Sequence, residues 1–179
     1  MPAPVPHLDP VEDPGVSKPL PRGRVTVAHV LYMDLVAYSQ SNTERQAALV
    51  SELLEVVRGV PEFQAARNAN QIIPLDSGDG LALVFLEDPT APVRCAIGIS
   101  QAIRSHPDLR LRMGINTGPV QIRSGISHKR NAFGRGINYA KRAMDRGDAG
   151  HILITAEAVS ILQDLEGWPD YLHDIASTR

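Results

Sequence analysis

Asp34 follows the apolar run Val25-Thr26-Val27-Ala28-His29-Val30-Leu31-Tyr32-Met33, and Asp79 sits in the turn Ser77-Gly78-Asp79-Gly80 between two further apolar runs. A carboxylate at a strand end beside a glycine turn suits a hard divalent cation, which takes oxygen ligands on a rigid backbone. Two such carboxylates brought together can hold two ions, and a two-metal site can drive displacement at phosphorus. Taken singly, each aspartate reads more plainly as a turn or strand-end residue on the surface. Their shared setting, each after a hydrophobic strand, favours a common metal site. Asn138 and Arg142 are four apart on an expected helix, so both project from one face. An amide can hold a sugar oxygen, and a guanidinium can neutralise charge growing on a phosphoryl group. An exposed polar helix face is the plainer reading of that pair.

The elements that must position these residues follow from periodicity. Val25 to Met33 reads as a buried strand. Ser41 with Glu44 three residues on has capping-box spacing, and Leu49, Leu53, Val56, Val57 and Val60 then recur at helical spacing. Gln71 to Pro74 and Leu81 to Phe85 flank the Gly78-Asp79-Gly80 turn as a hairpin, with Pro74 marking an edge or bulged strand. Thr90 to Ile103 reads as helix, with Pro92 in its first turn. Leu109 to Ile115 alternates as a strand, Asn116 to Pro119 reads as a turn, and Val120 to Ile122 returns. A polar loop over Ser124 to Arg130 precedes a helix at Ile137 to Met144, a strand at His151 to Ile154 and a last helix at Ala156 to Leu165. The order β-α-β-β-α-β-β-α-β-α predicts an α+β fold, with helices packed on one face of a mainly antiparallel sheet.

Bulk properties bound the rest. The chain has 179 residues, enough for one domain with a sizeable core. A formal net charge of −2 gives no support for nucleic-acid or membrane-surface binding through overall charge. No apolar run reaches the ~20 residues of a membrane span. The single cysteine, Cys95, excludes an intrachain disulfide and suits a reducing cytoplasm; on its apolar helix it reads as core. The six histidines lack ligand spacing, which argues against zinc. Half of the fourteen prolines fall in residues 1–23, so 1–23 reads as a Pro-rich leader and 24–179 as the functional domain.

Four segments together resemble the catalytic domain of class III nucleotidyl cyclases, the adenylate and guanylate cyclase family. Val30 to Ser39 resembles the family's first metal strand and the turn after it, and Ser77 to Phe85 its second metal hairpin. Arg112-Met113-Gly114-Ile115-Asn116-Thr117-Gly118 resembles its R-x-G-I-x-x-G strand, and Gly136 to Arg142 its Asn-x-x-x-Arg helix. The resemblance covers about Arg24 to Asp174 and rests on order and spacing as much as on any one motif. It implies a ferredoxin-like core and a head-to-tail homodimer with composite sites that convert a nucleoside triphosphate to a 3′,5′-cyclic nucleotide. By similarity, Asp34, Asp79 and the Leu35 carbonyl would hold two Mg²⁺ or Mn²⁺ ions. Backbone amides around Ala37, Tyr38 and Ser39 would face the phosphates. Asn138 and Arg142, from the other subunit, would act on the ribose and the α-phosphate.

The chain departs from the family where purines are read. Adenine-specific members carry Lys where this chain has Leu75, and Asp or Thr where it has Asn131. Leu offers no hydrogen bond, while Asn both donates and accepts. This favours a pyrimidine substrate, as in the family's stand-alone branch tied to anti-phage signalling that makes cyclic CMP or cyclic UMP. An adenylate cyclase and a catalytically silent, cyclase-like regulatory dimer are the alternatives. The family's terminal phosphate-binding Lys has no counterpart before Arg179, so either another cation, Lys129, Arg130 or Lys141, holds the triphosphate, or the reach is reduced.

Overall fold

The computed structural model describes residues 24–78, 80–124 and 129–173. Its sheet is built on β1 (Arg24–Leu35), which pairs antiparallel along its whole length with β4 (Leu111–Ser124). On its other side β1 pairs with β3 (Gly80–Phe85), and β3 pairs with β2 (Ile72–Asp76). The far end of β4 pairs with β5 (Arg130–Phe133), and its near end pairs in parallel with β6 (Ile152–Ile154). The order is β2-β3-β1-β4-β5 with β6 beside β4, so Pro74 lies on an edge strand as its missing N–H requires.

The second half of β1, from Ala28 on, is mostly apolar because both faces of the sheet are covered there, while Val25 and Val27 remain exposed. Leu31, Met33 and Leu35 enter one core with α1 (Thr43–Gly59), α2 (Pro61–Asn68), α3 (Ala91–Ala102) and α5 (Ala156–Gln163). Ala28 and Val30 enter a second, smaller core with α4 (Arg135–Met144). The expectation of helices on one face therefore holds for four of the five; α4 takes the opposite face.

Three local readings shift. The cap of α1 is Asn42, whose side chain accepts the Arg45 amide at 2.9 Å, rather than its neighbour Ser41. A second helix, α2, which the spacing to Val60 does not predict, follows at once: Pro61 has no amide to continue the ladder of α1 and instead starts α2. Asn116 to Pro119 is strand, not turn. β4 pairs with β6 only at Met113–Ile115 and with β5 only from Gln121. The intervening stretch has no ladder on that second side, which is where a proline fits.

Cys95 is core, as expected. It is fully buried, and burial, with Glu62 adding, pushes its thiol up to about 12, far from a nucleophile's range. Trp168 packs part-buried against the first core.

Candidate active site

Asp34 is the penultimate residue of β1, and its ladder partners are Gly80 on β3 and Arg112 on β4. It is 8% exposed. Arg112 grips it side-on, Nη2 donating to Oδ2 at 2.9 Å and Nε at 3.3 Å, and also reaches Asp145 at 3.4 Å. Gly80 has to be glycine: a Cβ there would stand 2.1 Å from the Met33 carbonyl oxygen. Asp79 lies outside the described residues; its chain neighbour Gly80 is the residue that pairs with Asp34.

Asp34 opens on a cleft of about 560 Å³, walled by the turn after β1, by Arg110 and Arg112, and by residues 147–149. The turn is held from three directions. The Val36 amide donates to the Arg110 carbonyl at 2.7 Å. The Gln46 side-chain amide donates to the carbonyls of Tyr38 and Ser41 at 3.1 and 3.0 Å. The Tyr38 ring packs against the first core. Ala37 sits in the left-handed region at φ 65°, ψ 18°, a conformation a non-glycine residue keeps only where its surroundings impose it. Among the described residues, the amides of Ala37, Tyr38 and Ser39 have no backbone acceptor. Leu35 is buried and lines the same cleft.

The second half of the expected site is on α4. This helix lies directly on β4 because both surfaces are small at the seam. A Cβ on Gly114 would meet the Ala140 carbonyl at 2.2 Å and the Met144 amide at 2.4 Å, and one on Gly136 would meet Gly118 at 2.9 Å. Asn116, 2% exposed, pins the helix start: its amide donates to the Gly136 carbonyl at 2.9 Å, and its oxygen accepts the Thr155 hydroxyl at 2.7 Å. With Gly136, Ala140 and Met144 turned inward, Asn138 and Arg142 are exposed on the outer side, the Arg142 guanidinium 5.5 Å over the Tyr139 ring. Neither lines the Asp34 cleft. Lys141 of α4 lies over the Tyr32 ring at 5.3 Å, and Asp145, just past the helix, reaches Arg112.

The two base-reading candidates come from opposite edge strands. Leu75 packs part-buried on the second core. Asn131 is exposed beside Arg123, with its oxygen accepting the Ala132 amide at 2.8 Å. Ala132 belongs to the second core, so strand alternation directs Asn131 to the face opposite Leu75.

None of the three candidate phosphate cations lines the cleft of its own chain. Arg130 donates to the Asn70 and Ile72 carbonyls at 2.9 and 3.3 Å, tying β5 to β2, and neither Lys129 nor Lys141 lines the cleft. The cleft's cations are Arg110 and Arg112 instead. The Arg-Leu-Arg alternation at the start of β4 was the available signal, since residues two apart in a strand share a face.

Asp34 offers a carboxylate at the head of a backbone-walled cleft, a donor that fits a hard divalent cation. Among the described residues no three acidic, histidine or cysteine side chains gather in one place.

Known proteins bear on this geometry. Residues 56–171 match the family profile described as the adenylate and guanylate cyclase catalytic domain; β1, with Asp34, precedes the matched span. No curated protein sequence matches the chain. Solved structures share the fold. The guanylate cyclase domain of RhGC from Catenaria anguillulae, in complex with GTP, is 18% identical with a TM-score of 0.63, covering 79% of this chain and 85% of that one. A non-canonical dimeric guanylyl cyclase domain of the RhoGC fusion protein from Blastocladiella emersonii is 19% identical with a TM-score of 0.66, covering 78% and 85%. An adenylate/guanylate cyclase/hydrolase from Silicibacter pomeroyi is 24% identical with a TM-score of 0.60, covering 80% and 83%. The profile match spans well over half of the chain, on a fold these structures share, and the chain belongs to the adenylate and guanylate cyclase catalytic domain family, a nucleotidyl cyclase by class.

Proposed function

We propose that residues 24–179 form a homodimeric cyclase domain, with 1–23 as a separate leader, that converts a nucleoside triphosphate to its 3′,5′-cyclic monophosphate and pyrophosphate. The observation that carries the dimer is the separation of the two half-sites. One chain presents a carboxylate cleft, and its Asn138 and Arg142 face outward and away from that cleft. A second copy, packed head to tail, would supply the missing half to each cleft.

Each residue then has one task. The amides of Ala37, Tyr38 and Ser39 hold phosphate oxygens. Asn138 orients the ribose, and Arg142 neutralises charge at the α-phosphate as it becomes five-coordinate. The ribose O3′ bonds to the α-phosphorus, the bond from that phosphorus to the β-bridging oxygen breaks, pyrophosphate leaves, and the hydroxyl proton passes to solvent. Asp34, Asp79 and the Leu35 carbonyl would hold two Mg²⁺ or Mn²⁺ ions, which supply an acidified 3′-hydroxyl and neutralise the leaving phosphates.

The proposed base is a pyrimidine, giving cyclic UMP or cyclic CMP. Leu75 has no hydrogen bond to offer a purine, and the Asn131 oxygen is engaged by its own strand. One observation favours a silent, nucleotide-binding regulator: Arg112 already holds Asp34 in an ion pair. The deciding assay incubates the full chain with Mn²⁺ and each of ATP, GTP, CTP and UTP and identifies products by mass. A cyclic pyrimidine nucleotide is expected. Cyclic AMP or cyclic GMP alone overturns the base assignment, and no cyclic product from any of the four leaves the regulator.

A further inference from the structure

The two edges of the sheet meet. β2 and β5 lie at opposite ends of the order β2-β3-β1-β4-β5, and four strand spacings would put them about 19 Å apart in a flat sheet. Instead the Arg130 guanidinium of β5 donates to the Asn70 carbonyl at 2.9 Å, to the Ile72 carbonyl at 3.3 Å and to the Asn70 side-chain oxygen. The sheet is therefore rolled. Ala132 belongs to the second core, and Arg130, two residues before it on the strand, shares its face. The roll thus closes towards the side that α4 covers. β2 gains most from this hold. It is an edge strand of five residues with Pro74 at its centre, and its outer side has no ladder. Asn70, just before it, sits at φ 57°, a left-handed conformation in which one guanidinium holds both its main chain and its side chain. Leu75 stands three residues beyond Ile72, part-buried on the second core.

We propose that Arg130 is a positioning residue for base selection: by latching β5 to the start of β2, it fixes the strand on which Leu75 meets the base. The proposal rests on the reading of Leu75 as a base-facing residue and deepens it. An apolar wall offers no hydrogen bond and selects by fit alone, which is worth about 10- to 200-fold per methylene in a pocket. Fit of that kind is lost when the strand that carries the wall can shift. Arg130 acts through β2 and needs no contact with the nucleotide. A guanidinium suits the task because its fixed fork spans several oxygens at once.

The test pairs hydrogen exchange with nucleotide binding on the full chain. Arg130→Ala should speed amide exchange over residues 70–76 about tenfold, the loss of charge-assisted hydrogen bonds at a sheet edge. Calorimetry with Mg²⁺ and each of the four 3′-deoxynucleoside triphosphates, which lack the hydroxyl needed to cyclise, reads base preference. Arg130→Ala should cut the affinity ratio between the best and second-best base about tenfold. Arg130→Lys, which keeps the charge but not the fork, should recover part of both effects. Arg104→Ala removes an exposed arginine from another part of the surface and should change neither. Wild-type exchange in Arg130→Ala overturns the latch. Faster exchange with an unchanged base preference overturns the positioning role. A preference that collapses in Arg130→Ala, in a chain that gives no cyclic product from any triphosphate, upholds that role and overturns the cyclase reading. No binding of any of the four by the wild-type chain overturns both.

Discussion

At Arg142 the proposed chemistry falls on an exposed side chain. It is exposed and touches only the Tyr139 ring among the described residues, so removing it should not unfold the chain. Arg142→Ala is expected to lower kcat on the order of 10²–10³-fold, as for loss of one transition-state donor, with the urea midpoint and pyrophosphate affinity unchanged. Turnover near wild type would remove Arg142 from the site. His29 is the opposite case, a buried group with a structural signature. Its Nδ1 lies 2.9 Å from the Thr117 hydroxyl. Burial lowers its pKa, against the opposing pull of Asp88 and the Glu87 carbonyl. A folded-state value below the ordinary 6.5 means that the unfolded chain takes up the proton first. Stability is then fully present above that value and falls as pH drops below it. Urea denaturation at pH 7.5 and 5.5 should show a smaller acid-induced loss for His29→Gln than for wild type; equal losses would assign the effect elsewhere. Asp88 pulls the same way at lower pH. Burial pushes its carboxyl up, but hydrogen bonds from Thr90 and the Arg94 guanidinium outweigh it, and the net direction is down.

At the scale of elements, α4 is where the proposed function and the packing meet. Its outer face carries Asn138 and Arg142, and its inner face has no room to move, because backbone meets backbone at Gly114. Gly114→Val is expected to cost about 1–3 kcal/mol in a urea melt, the range for overpacking a tight contact. It should also reduce turnover, by displacing a helix whose active side chains the substitution never touches. Full activity with an unchanged midpoint would show that the seam is looser than these distances indicate. β1 has the complementary role: all twelve of its residues pair with β4, and His29 to Asp34 also pair with β3, which makes its end, at Asp34, a rigid mount.

At the scale of the whole molecule, the separated half-sites make a prediction no single chain can satisfy. Asp34→Asn and Arg142→Ala should each be nearly inactive alone. Mixed and allowed to exchange subunits, half of the dimers carry one intact site of two, restoring roughly a quarter of wild-type activity. No recovery on mixing, with exchange shown by mass, would place both half-sites in one chain. No described helix is long and apolar enough to cross a membrane, and the family fold accounts for the described residues without one.

Much of this was legible before any coordinates, and the reason is local. β1, β3 and α3 declare themselves because burial on both faces of a strand, or one face of a helix, writes a period into adjacent residues. The motif order that marks the family is likewise a property of the chain read end to end. What escaped depends on neighbours far away in sequence. Gly118 and Pro119 spell a turn by composition, yet they lie mid-strand, because β1 pairs on one side while the other side there has no ladder. The placement of α4 alone on its face depends on a glycine seam that only close packing explains. The engagement of Arg130 with β2, and of Arg112 with Asp34, were settled by which carbonyls and carboxylates the fold brings within reach. Residue type fixes what a side chain can do; three-dimensional proximity selects which of those options it takes.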